Sequence, residues 1–461
     1  MSNFRVLSTP PVPRLRDALR DSSLFGRGAI TVARAPGRLD VMGGIADYSG
    51  SRVCEMPLDL AAAAAVQTRT DDKIFVRTAQ IGSTLELPAQ SLRDSDAKTF
   101  RSRIADDQSW ARYVAGCMWW LVARRGVEPS GVSILVDSDV PLGGGVSSSA
   151  ALEVATMTAL STAFAVNLSP MELAAACQYV ENHVVGAPCG VMDQVTSALG
   201  EESKLVELLC QPDAADLPAQ LIGFVTVPRG YAFIGIHSGV RHEVSGDPYT
   251  DTRVAAFMGQ KILATRFAPR ISDVHLANIP RAAYTSDFRN DLPVTMRGRD
   301  FIAQFGRTND AVTTVKPETT YAVQAATDHH VYEMERVTRF VELLKGRIDD
   351  AAMREAGELM YASHASYGDC AKLGHAMTDR IVAMVRQLGP QRGFFGAKIT
   401  GGGCGGTVAI LIRDEPTVRN EVALLRERYE KETGRRTMFF SGSSPGAAPM
   451  GTVTISFEEL R

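Results

Sequence analysis

The sequence predicts an α+β chain folded as two domains. Its 461 residues exceed the roughly 250–300 beyond which a single core usually splits. The first half mixes short β-branched runs with helical periodicity. The second half sets long amphipathic helices beside a strand–glycine turn–strand unit.

In chain order, residues 29–35 alternate as a strand does, and 131–136 form a second short β-branched run. Residues 148–165 and 170–185 read as helices, with Ser169 at an N-cap and Pro170 in the first turn. A strand pair is expected at 222–227 and 231–237, joined by Pro228-Arg229-Gly230. Helices follow at 331–345 and 349–361, then a strand–turn–strand unit at 398–411. A helix at 416–432 and a strand at 452–457 close the chain. The stretch 211–217, rich in Pro, Asp and Ala, suggests domains of 1–215 and 216–461. Residues 281–316 have few periodic signals and read as a variable insertion.

Bulk properties narrow the function. A net charge of −3 gives neither the basic footprint of a nucleic-acid binder nor a polybasic membrane anchor. The longest apolar runs, 60–66 and 117–123, fall far short of the ~20 residues that span a bilayer. The N-terminal stretch lacks the apolar core of a secretory signal. Seven scattered cysteines without a CxxC pair predict reduced thiols, no disulfide framework and no zinc site, hence a cytoplasmic protein. Nothing predicts an assembly beyond a monomer or weak dimer.

Two glycine clusters carry chemistry. Pro141-Leu142-Gly143-Gly144-Gly145-Val146-Ser147-Ser148-Ser149 leads from a strand into a helix. Glycines there let backbone approach an anion, and N–H groups at a helix start attract phosphate. The three serines add hydroxyls, one of them available to a hard cation such as Mg²⁺. No Gly-Lys-Ser/Thr follows, so this is not a P-loop, and no acidic residue sits where a dinucleotide ribose would need one. The competing reading is a flexible loop capped by serines. The second cluster, Gly401-Gly402-Gly403-Cys404-Gly405-Gly406, lies between two strands. A hairpin needs one or two glycines, so this many suggest close approach to a ligand or to the other loop.

Three segments together resemble the GHMP kinases, and within them the galactokinase branch. They are Ala35-Pro36-Gly37-Arg38-Leu39-Asp40-Val41-Met42-Gly43 with Asp47-Tyr48-Ser49-Gly50, the 141–154 loop, and 396–406. Further stretches point the same way: Glu181-Asn182-His183, Pro188-Cys189-Gly190-Val191-Met192-Asp193-Gln194, His237-Ser238-Gly239-Val240 with Tyr249, and Glu358-Leu359-Met360 with Ser363-His364. The resemblance implies the two-domain GHMP kinase fold. Its active site would lie in the cleft between an N-terminal mixed-sheet domain and a C-terminal antiparallel-sheet and helix domain. It also implies ATP-dependent phosphorylation of a sugar's anomeric hydroxyl.

By the same resemblance, Gly143, Gly144, Gly145, Ser147, Ser148 and Ser149, with Gly402 and Gly403, would hold ATP. Ser149 and Glu181 would ligand Mg²⁺. Asp193 would be the catalytic aspartate and Arg38 its partner, a guanidinium that favours the charged carboxylate. Asp47 and Tyr249 would contact the sugar. The bland alternatives are a structural Arg–Asp pair, a solvated glutamate, a turn carboxylate and a core ring. His183, His237, His242 and His364 read as structural.

One departure bears on the substrate. Galactokinases carry Glu-His where this chain has Gly44 and Ile45, and those side chains contact the sugar's 6-hydroxyl. L-Arabinopyranose is galactopyranose without that hydroxymethyl group. An unpartnered hydroxyl against Ile45 would cost ~1–3 kcal/mol, roughly 5- to 150-fold in discrimination. The run Gly43-Gly44-Ile45-Ala46-Asp47 also resembles the kinase part of plant arabinokinases, as does 321–325 with His330 and Tyr332, more weakly. The alternatives are galactose itself, a galactose-like uronate for which Arg52 is the nearby cation, and a non-catalytic sugar and ATP sensor. Asp40 stands where the family has asparagine.

Overall fold

The computed structural model describes residues 2–20, 22–80, 83–93, 95–213, 217–241, 247–268, 270–271 and 275–457. The boundary expected at 215/216 and His242 lie outside them.

An eight-stranded sheet dominates. Its order is Thr452–Ser456, Ala29–Met42, Arg52–Thr68, Val132–Ser138, Lys73–Thr78 and Thr84–Pro88. Lys204–Leu209 pairs with the start of Arg52–Thr68, and Gln220–Thr226 pairs with Lys204–Leu209. The sheet is mixed, because Lys73–Thr78 runs parallel to Val132–Ser138 whereas its other pairings are antiparallel.

The alanine run 61–65 lies inside Arg52–Thr68, and its five side chains are buried. Strand geometry sends neighbours to opposite faces. Ala62 and Ala64 pack into the core that holds Val154, Ala155 and Val195. Ala63 and Ala65 pack with Val12, Leu15 and Met450 on the other face. A strand covered on both faces reads as a continuous apolar run, without the alternation that marks a half-buried strand.

The second sheet has four antiparallel strands, in the order Phe394–Ile399, Thr407–Arg413, Tyr231–His237 and Met438–Phe440. The expected pair of 222–227 with 231–237 does not form. Gln220–Thr226 pairs with Lys204–Leu209, and Tyr231–His237 pairs with Thr407–Arg413. Pro228 and the left-handed Gly230 (φ 84°) carry the chain from one sheet to the other. Alternation tells which residues face inward; it does not name the partner strand. The terminal strand also returns to the large sheet. We therefore propose two lobes divided after Thr226, with the last strand belonging to the first lobe.

The helices lie near their expected places, at Ser148–Ala163, Pro170–Tyr179, Val323–Lys345, Asp350–Asp369 and Pro416–Thr433. Ser169 caps Pro170–Tyr179 reciprocally with Glu172, and the following turn Val180–Val185 is a π-helix. The 281–316 segment contributes to a separate apolar cluster. Tyr284, Phe288 and Phe301 pack there against Met258 and Ile262 of helix Asp247–Arg266 and Val331 of helix Val323–Lys345.

Candidate active site

Residues from sequence-distant elements line one cleft of about 340 Å³. Strand Ala29–Met42 brings Arg38, and the short turn Gly44–Ser49 brings Ile45 and Asp47. The first glycine loop supplies Gly143, Gly145 and Ser147, and the helix after it supplies Ser148 and Ser149. The π-helical turn carries Glu181, helix Met192–Leu199 carries Asp193 in its first turn, and helix Asp247–Arg266 carries Tyr249. The second glycine loop adds Gly402.

Gly44, Gly144 and Gly403 do not line the cleft. The Gly144 carbonyl instead accepts from the Thr407 hydroxyl at 2.7 Å, and the Gly145 carbonyl accepts from Thr400 at 3.4 Å. The two glycine loops thus bind each other as well as flanking the cleft.

Arg38 is buried, and its Nη2 lies 2.7 Å from Asp193 Oδ1, with Nε donating to the same oxygen at 2.8 Å. Its Nη1 donates to the Gly145 carbonyl at 3.1 Å. One guanidinium therefore ties the Asp193 carboxylate to the first glycine loop. The Asp193 side chain keeps 22% of its surface exposed, so it is open to the cleft. The start of a helix favours its negative charge.

Asp47 is buried and accepts from the Tyr48 N–H at 2.7 Å. Burial, then repulsion from Asp193, pushes its carboxyl up to about 7. Gly190 is what makes room for it, since a Cβ there would stand 1.6 Å from Asp47 Oδ2.

Burial likewise pushes Glu181 up to about 7. The leading contacts that favour its charge are Ser149, Cys189 and Gln194, none of them a cation. The Gln194 amide donates to it at 2.6 Å. A buried carboxylate beside a hydroxyl, uncompensated by a protein cation, suits a hard divalent ion. Among the described residues no cluster of three His, Cys, Asp or Glu forms a cage, so such an ion would complete its shell with phosphate and water. Ser147 is left-handed (φ 60°), and its buried hydroxyl has no partner. Strain and an unspent donor at one residue fit a loop built to receive an anion.

Sequence reasoning missed a group behind this wall. Asp40, fully buried, accepts from Lys398 Nζ at 2.7 Å and from the Gly401 N–H at 3.0 Å with Oδ2, and from the Gly44 N–H at 3.1 Å with Oδ1. Three donors converge on it. Asparagine would turn an amide N–H toward one of them, which accounts for aspartate here. Neither composition nor spacing links residues 40 and 398. Arg253, also missed, is buried in the same helix as Tyr249. It donates to the Cys189 carbonyl at 3.2 Å and is held in two bonds by Asp310. His183, His237 and His364 lie outside the cleft lining.

The chain matches models of the GHMP kinases N terminal domain at residues 112–201 and the GHMP kinases C terminal domain at 347–431. A galactokinase galactose-binding signature matches at 22–68. It is 37% identical over 492 residues to an L-arabinokinase of Arabidopsis thaliana, covering 92% of this chain and 47% of that protein, so it spans about half of that relative. It is 30% identical to a galactokinase of Chloroflexus aggregans, covering 89% of this chain and 91% of that one. Among solved structures, Lactococcus lactis galactokinase complexed with galactose superposes with a TM-score of 0.73 at 21% identity, over 96% of this chain and 99% of that one.

Proposed function

The chain belongs to the GHMP kinase family, as a sugar kinase of the galactokinase and L-arabinokinase type, and from that premise we propose that it phosphorylates the anomeric hydroxyl of L-arabinose. One observation carries the choice of sugar. The turn beside Asp47 presents the apolar Ile45 to the cleft, and no side chain exists at Gly44 to accept a hydroxyl. The uronate alternative loses its support, because Arg52 is turned to Glu207 at 3.1 Å and does not line the cleft.

In this reading Asp193 takes the proton from the anomeric hydroxyl as the phosphoryl group arrives. Arg38 holds Asp193 in place and offsets charge on the transferring group. Asp47 and Tyr249 orient the ring, and the loop 143–149 with Gly402 cradles the ATP phosphates. Ser149 and Glu181 would hold Mg²⁺, which supplies charge neutralisation along the phosphates.

Release of ADP from ATP and Mg²⁺ tests this reading against L-arabinose, D-galactose, D-galacturonate and D-fucose. The expected result is highest kcat/KM for L-arabinose, with a product whose phosphorus couples to the anomeric proton in NMR. A product phosphorylated elsewhere, or turnover of none of the four sugars, contradicts it.

A further inference from the structure

Tyr367, from helix Asp350–Asp369, is fully buried behind the turn that carries Ile45, and the mechanism above does not use it. Its hydroxyl accepts from the Ile45 N–H at 3.0 Å and donates to the Gly401 carbonyl at 2.8 Å. Ile45 and Gly401 both line the cleft, one beside Asp47 and the other in the second glycine loop. The phenol oxygen also fills the space at Gly44: a Cβ there would stand 1.6 Å from it and 2.7 Å from Cζ. Asp40 repeats the link, receiving the N–H groups of Gly44 and Gly401, and the Lys398 ammonium lies 5.3 Å over the Tyr367 ring.

We propose that Tyr367 is a specificity-determining positioning residue, which takes the volume of a side chain at position 44 and locks the Ile45 wall to the nucleotide-side loop at Gly401. The inference rests on the reading that Ile45 faces the C5 substituent of the sugar. A hydroxymethyl group there must push the turn outward, and the turn cannot retreat without breaking the Ile45–Tyr367 bond. Selectivity then comes from a stiff wall as well as an apolar one. The same strut makes the sugar pocket and the glycine loop respond together.

Tyr367→Phe removes only the oxygen. The wild type and this variant would be compared with ATP against L-arabinose, D-fucose and D-galactose, with thermal unfolding recorded beside. The L-arabinose to D-galactose ratio of kcat/KM is expected to fall roughly fivefold or more, and the KM for ATP to rise about threefold, while kcat for L-arabinose changes by less than about threefold. A purely structural role would lower the active fraction, and with it kcat for every sugar, and leave the ratio and the KM for ATP alone. A folded variant with an unchanged ratio and an unchanged KM for ATP overturns the proposal.

Failure of the substrate reading is visible separately, as a wild type that prefers galactose before any substitution. Where Tyr367→Phe does not fold, Gly44→Ala drives the phenol from its place without deleting it. It should lower the same ratio, and an unchanged ratio there also overturns the proposal.

Discussion

Asp193 meets the cleft with a carboxylate gripped by Arg38, and the proposed proton transfer gives it a single task. Asp193→Ala should lower kcat by ~10²-fold or more in a variant that still folds, because buried Arg38 keeps Glu55 at 3.2 Å as a counter-charge; a folded variant with near-normal kcat would remove the residue from the reaction. Asp47 predicts a pH effect. Burial raises its carboxyl to about 7, so the folded chain keeps a proton that the unfolded chain releases near 4. The folded state thus binds more protons between those values, and stability must fall as pH rises through the window. Glu181 acts in the same direction. In the ligand-free protein, Asp47→Asn should therefore raise the melting temperature at about pH 8 relative to that at about pH 5 by about 2 °C or more, compared with the wild type. Equal slopes in wild type and variant would show that Asp47 titrates normally. Asp40→Asn should destabilise by about 3 kcal/mol in denaturant titration, because it leaves the fully buried Lys398 ammonium without its counter-charge.

The elements explain how distant residues share one site. The first glycine loop and the second are joined by Thr407 and Thr400, and Arg38 fastens the first of them to the helix that carries Asp193. The 281–316 segment reaches the site too, because Asp310 grips Arg253, whose guanidinium holds the Cys189 carbonyl next to Gly190 and Asp47. Asp310→Asn should raise the KM for sugar several-fold, about 1 kcal/mol of lost positioning, with less effect on the KM for ATP; parallel changes in both constants would argue against a local role. These elements differ in how legible they were. The glycine clusters, the Ser169 cap and the helix after the first glycine loop follow from local chemistry, since turns and caps constrain residue type at fixed positions. The strand Arg52–Thr68 was read only as an apolar run, because small residues buried on both faces show no alternation. Helix Asp247–Arg266 was not anticipated, although it brings both Tyr249 and Arg253 to the cleft.

At the scale of the molecule, two sheets bring sequence-distant segments together, and it is there that reading the sequence stops. Matching residues to known motifs singled out Arg38, Asp47, Ser149, Glu181 and Asp193, which the structure brings to one cleft, since motif residues carry their own chemistry. It marked Asp40 only as a departure from the family pattern and gave Lys398 and Tyr367 no role, because their meaning lies in contacts across more than 300 residues and in a volume that a glycine leaves open. The family membership, the fold and the substrate claim meet at Ile45, which lines the cleft and in the proposed reading faces the place where L-arabinose and D-galactose differ. Steady-state kinetics with those two sugars, at saturating ATP and Mg²⁺, test that claim most directly. A kcat/KM at least roughly tenfold higher for L-arabinose is the expected result. Equal or better turnover of D-galactose would contradict it and make the chain a galactokinase whose 6-hydroxyl partner lies elsewhere in the cleft.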